Sequence, residues 1–134
     1  IKQSKLNDFK KSTLDLCAGY GQFSIRLLRF FKNKFDDFDI KQYLKNNHYF
    51  CELQISSCYK LLKIFGYSIN LFIGDANKLH LLPENSKGIW VYIEQASVWV
   101  KLTKTISKII APKGAKSKKV SEEIFVSKTN CINI

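Results

Sequence analysis

Residues 13–23, Thr-Leu-Asp-Leu-Cys-Ala-Gly-Tyr-Gly-Gln-Phe, constrain the fold more than any other stretch of this chain. They join a short apolar run to an amphipathic one through an acid, two small residues and two glycines. Leu14 and Leu16 read as strand residues that anchor a central sheet. A helix predicted from about Gln22 would aim free N–H groups at anything held by the loop. Gly19 and Gly21 would let the backbone pass close to such a ligand. Asp15 brings negative charge to the carboxyl end of the strand, which suits an amine or hydroxyls better than a pyrophosphate. Gly-x-Gly after a strand is also an ordinary tight turn, so the features that follow it decide.

Two later segments bear on that choice. His48-Tyr-Phe-Cys-Glu-Leu is an apolar run that ends in Glu52 and Leu53, and it reads as a second strand with a carboxylate at its tip. Ile69-Asn-Leu-Phe-Ile-Gly-Asp-Ala is a third such run, ending at Gly74, Asp75 and Ala76. Singly, Glu52 and Asp75 read as solvated strand-end acids. In this order after a glycine loop, they make the chain resemble the class I S-adenosylmethionine-dependent methyltransferases. The resemblance implies that Asp15, Cys17, Ala18, Gly19 and Gly21 hold the methionine end of S-adenosyl-L-methionine. It assigns Glu52, with Leu53 beside it, to the ribose hydroxyls, and Asp75 with Ala76 to the adenine. A carboxylate can accept from two vicinal hydroxyls, and an Asp can accept from an exocyclic amine.

Within that superfamily, Asp15-Leu-Cys-Ala-Gly-Tyr-Gly-Gln-Phe looks most like the Asp-Pro-Cys-Ala-Gly-Ser-Gly-x-Phe loop of DNA adenine-N6 methyltransferases, including those of restriction-modification systems. Leu16 stands where that family commonly has Pro. The family's Asn/Asp-Pro-Pro-Tyr/Phe tetrapeptide after the fourth strand is missing, and Glu94-Gln-Ala-Ser occupies its place. Glu94 and Gln95 are therefore the candidate catalytic residues by position, without the aromatic that would stack on an extruded base. Trp90 and Trp99 read as core. The resemblance implies nucleic acid as substrate, adenine N6 in DNA ahead of adenine in ribosomal RNA. The alternative is a catalytically inactive fragment that binds cofactor or partner.

The alternation of strand and helix predicts an α/β fold, Rossmann-like, with a mainly parallel sheet and helices on both faces. Phe23, Leu27, Phe30 and Phe31 recur at helical spacing, as do Ile55, Cys58, Leu62 and Phe65 before a terminating Gly66. A short helix is predicted around residues 40–44. Val98, Leu102, Ile106, Ile109 and Ile110 fall on one helical stripe that Pro112 stops. Residues 1–112 read as an S-adenosylmethionine-binding domain. Residues 113–134 read as a basic linker and one or two terminal strands (122–127 and 131–134), part of the same domain. The chain is incomplete relative to a seven-stranded methyltransferase, begins with Ile1 and contains no Met, so it reads as a piece of a longer protein.

The formal net charge is +11, and residues 101–134 hold eight lysines against two acids. Lys113 to Lys119, Lys-Gly-Ala-Lys-Ser-Lys-Lys, has no apolar periodicity; it reads as a solubilising loop or as a phosphate-contacting one, with DNA ahead of RNA as the partner. A protein partner or a missing chain segment is the other expectation. No stretch approaches the roughly twenty apolar residues of a membrane span, so no membrane partner is expected. Cys17, Cys51, Cys58 and Cys131 form no Cys-x-x-Cys pair and read as small thiols in a reducing cytoplasm. His48 and His80 have no ligand-spaced partner, so they read as surface or strand-edge histidines and no metal is expected.

Overall fold

The computed structural model describes residues 11–103. The lysine run 113–119, the stripe beyond residue 103 and the two terminal strand candidates lie outside the described residues. Within them the order is β1 (Thr13–Leu16), α1 (Gln22–Lys34), α2 (Ile40–Asn46), β2 (His48–Glu52), α3 (Ile55–Phe65), β3 (Asn70–Ile73), a 3-10 segment (Ala76–Leu81), β4 (Ile89–Ile93), a short 3-10 turn (Glu94–Ala96) and β5 (Val98–Leu102). The five strands form one sheet in chain order; β1 to β4 run parallel and β5 returns antiparallel to β4. The chain is thus α/β, with a mostly parallel sheet flanked by helices.

Local chemistry explains the helix limits. Asp39 caps α2 by accepting from the Gln42 N–H at 3.2 Å, satisfying one of the donors a helix start leaves open. Gly66 ends α3 at φ 85°, a backbone setting that costs glycine nothing. The inner faces are Leu27, Leu28 and Phe31 on α1, and Cys58, Leu61, Leu62 and Phe65 on α3. Phe23 and Ile55, which share the helical spacing of these inner residues, are each 45% exposed. Both sit in a first helical turn that stands off the carboxyl edge of the sheet.

Strand alternation sorts the side chains onto two faces. Phe50, Leu71, Ile73, Ile89 and Val91 meet α1, α2 and α3 in one core. Cys51, Phe72, Tyr92 and Trp99 form a second core on the opposite face, under Ala76, Leu79 and Leu82. All three described α-helices therefore lie on one face, and the residue 74–88 connection covers part of the other. Trp99 belongs to the second core, as predicted, and its indole N–H donates to the Lys78 carbonyl at 2.8 Å.

Val98–Leu102 is a strand and not the start of a helix. Its register, Tyr92 opposite Trp99 and Ile93 opposite Val98, follows from a tight turn in which Ser97 takes φ 50°. The turn lets Trp99 be buried on one face, whereas a helix would carry it away from Tyr92.

Asn70 ties four segments together. The two hydrogens of its buried amide are shared among the carbonyls of Leu44 (3.2 Å), Lys45 (2.9 Å) and His48 (2.9 Å), and its oxygen accepts from the Gly88 N–H at 2.8 Å. Replacing Asn70 with Ala strands these groups away from water. The expected loss is about 2–3 kcal/mol in urea unfolding. A loss below about 0.5 kcal/mol would show that water replaces the amide.

Candidate functional site

Parallel register brings the sequence-predicted residues to one edge. Leu16 pairs with Cys51, and Cys51 with Phe72, so the carboxyl ends of β1, β2 and β3 are level. The glycine loop, Glu52 and Asp75 follow those ends in turn. Backbone bonds from Ala18 N–H to the Cys51 carbonyl (3.1 Å) and from Gly74 N–H to the Glu52 carbonyl (3.0 Å) extend the pairing into the loops.

Glu52 is only 8% exposed, and its carboxylate lies between two loops. One oxygen accepts from the Gly19 N–H at 2.7 Å, the other from the Gln54 N–H at the head of α3 at 2.8 Å. These are charge-assisted bonds, at the short end of the range. The carboxylate thus ties the glycine loop to the strand tip and keeps a further acceptor position on each oxygen.

The two loop glycines do different work. At Gly19, φ is 58° and an added Cβ would meet nothing within 4 Å. At Gly21, φ is 82° and an added Cβ would lie 2.4 Å from a Phe65 ring carbon and 3.0 Å from a Leu61 methyl. Gly19 faces open space, as a ligand cradle requires; Gly21 lets α1 pack against α3. Cys17 is exposed and takes φ 54°, an uncommon setting for a residue with a side chain. Ala18 is buried at 8%. Tyr20 and Leu53 project from the edge at 50% and 62% exposure.

Asp75 caps the 3-10 segment, its Oδ1 accepting from the Asn77 N–H at 2.9 Å. Glu94 and Gln95 sit in the exposed turn after β4. Because β4 pairs with β3, two strands separate it from β1, a distance of about 14 Å. Glu94 and Gln95 therefore share the edge without meeting the glycine loop.

No protein-family model, curated protein or solved structure matches this chain.

Asp15 does not face the open edge. It is 5% exposed, on the helix side of β1, and Oδ2 accepts from the Ser24 hydroxyl at 2.6 Å. Ser24 also contacts His48 Nε2 at 2.7 Å, His48 Nδ1 contacts the Thr13 hydroxyl at 2.5 Å, and Thr13 contacts the Tyr43 hydroxyl at 2.9 Å. With Ser24 donating to Asp15, its oxygen accepts from His48 Nε2–H, and Nδ1 accepts from Thr13. Burial raises the pKa of Asp15, opposed by the Ser24 bond, and burial lowers that of His48 to about 4. His48 is thus fully enclosed, not at the surface, and neutral. Sequence reading missed this chain of groups. Its signal was parity: Thr13 and Asp15 alternate with Leu14 and Leu16, and His48, Phe50 and Glu52 occupy the matching positions on β2.

Burial lifts the Cys51 and Cys58 thiols to about 11 and about 12, so both stay protonated at neutral pH. His80 is exposed, with Nδ1–H donating to the Asn77 carbonyl at 2.9 Å. Among the described residues no three His, Cys, Asp or Glu side chains cluster as metal ligands, and no helix is long and apolar enough to cross a membrane.

Proposed function

We propose that this chain is the S-adenosylmethionine-binding part of a Rossmann-like nucleic-acid methyltransferase, of the DNA adenine-N6 type. One observation carries the reading: the glycine loop, Glu52 and Asp75 stand on consecutive parallel strands, with Gly19 N–H 2.7 Å from the Glu52 carboxylate. The open space before Gly19 fits a ligand that approaches the backbone there. In this reading Cys17, Ala18 and Gly19 border the methionine end, Glu52 and Leu53 the ribose, and Asp75 and Ala76 the adenine. Bound there, the cofactor supplies a methyl group on a sulfonium. Asp15 and Gly21 act through the fold, the one by hydrogen bonding α1 and the other by packing.

The separation of Glu94 from the loop favours a cofactor-binding part over a complete enzyme. Contact with nucleic acid rests on the net charge of +11 and on Lys113 to Lys119. Calorimetry with S-adenosylmethionine and its demethylated product tests the reading on the whole chain. Uptake of either is expected, weakened by about 1.5–3 kcal/mol in Glu52→Ala through loss of the charged hydrogen bonds. Absence of uptake of both at millimolar concentration overturns it.

A further inference from the structure

Beyond Phe65, toward the amino ends of the strands, a cavity of about 220 Å³ opens between α2 and the last turn of α3. Its floor is apolar: Leu44, Phe65 and Ile69 are each 3% exposed or less, although they line it. Ser68 stands at one side, and Lys41 and Lys45, one helical turn apart on α2, stand at the rim.

Lys45, in the last turn of α2, would ordinarily offset the negative charge of the terminal carbonyls, whereas Lys41, in the first turn, has none to offset. Here that work is done by other groups. The last four carbonyls of α2 already accept bonds: Tyr43 from the Asn47 N–H, Leu44 and Lys45 from the Asn70 amide, and Asn46 from the Lys87 ammonium at 2.6 Å. Lys41 and Lys45 are exposed, and neither has an ion-pair partner among the described residues. Two surplus ammonium groups over an apolar hollow match an amphipathic anion. A hollow of that size has room for a short aliphatic or aromatic tail.

We propose that this cavity binds a short-chain or aromatic carboxylate, with the tail on Leu44, Phe65 and Ile69 and the carboxylate between Lys41 and Lys45. Octanoate is the probe, octan-1-ol the uncharged control, and the methyl and ring resonances of Leu44, Phe65 and Ile69 the readout on the full chain. Saturable shifts are expected in the millimolar range, with octanol weaker. The double variant K41Q/K45Q should weaken octanoate about fivefold, as expected for two exposed charge pairs, and leave octanol unchanged. Ser68→Phe, at an exposed position, should fill the hollow and abolish binding of both without loss of fold. No saturable shift up to about 10 mM, or equal octanoate affinity in K41Q/K45Q, overturns the proposal, and so does binding that survives Ser68→Phe. Phe65 also abuts Gly21, so the Leu44 and Ile69 resonances decide this proposal separately from the cofactor one.

Discussion

Replacing Gly21 with alanine is expected to destabilise the fold by about 2–5 kcal/mol, whereas the same change at Gly19 costs about 1–2 kcal/mol. Both sites have a left-handed backbone, so both variants carry the strain of a side chain there. Only at position 21 does the new methyl also collide. Phe65, the ring it would strike, is 3% exposed and packs on Phe50 with centroids 4.9 Å apart, so any shift of the ring disturbs the core. Urea unfolding of the two variants side by side measures the difference. Equal losses would mean that the α1–α3 contact yields to the methyl. The comparison also separates fold from ligand: Gly19→Ala, a nearly intact protein, is the variant in which to look for lost cofactor uptake.

Acid should weaken the protein by about 3 kcal/mol between pH 6.5 and pH 4, through His48 alone. The imidazole, near 6.5 in the unfolded chain, is held at about 4 in the folded one by burial. Between those values the unfolded chain binds the extra proton and the folded chain does not. Stability therefore falls as pH drops through this window, and the loss is complete below about pH 4. Asp15 works in the opposite sense, because its pKa is raised in the folded state and the folded chain takes up a proton first. His48→Gln should flatten the acid slope, and Asp15→Asn should steepen it. Denaturation curves at several pH values check both, and an unchanged slope in His48→Gln would place the acid sensitivity elsewhere.

The contrast between those two positions shows what the sequence displays and what it hides. Features carried by neighbours in the chain were legible: the strand–loop–helix of residues 13–34, the acid at the tip of β2, and Gly66 ending α3. Features made by distant residues were not. Ser24, His48, Thr13 and Tyr43 come from four elements, and nothing local announces that His48 is enclosed. Glu52 was legible as an acid, but its grip on the Gly19 N–H depends on strand register. Val98, Val100 and Leu102 alternate as a strand should, but Val98 and Leu102 also satisfy a helical spacing, and the longer stripe won. The burial of Trp99 against Tyr92 decides for the strand, with centroids 5.3 Å apart.

The two cores also set how the chain winds. From β1 to β4 it steps across the sheet in one direction, always between parallel neighbours. The first two steps pass over the helix face, through α1 and α2 and then through α3. The third passes over the opposite face, through residues 74–88. A step of the same direction over the opposite face has the opposite hand, so one of the two senses is the left-handed one that parallel crossovers seldom adopt. That preference rests on a right-handed helix packing back against a twisted strand, and the third step contains only 3-10 turns. The reversal leaves β3 as a wall shared by two separately wound halves, with Leu71 and Ile73 in one core and Phe72 in the other. It is the one described strand in which all four residues are buried.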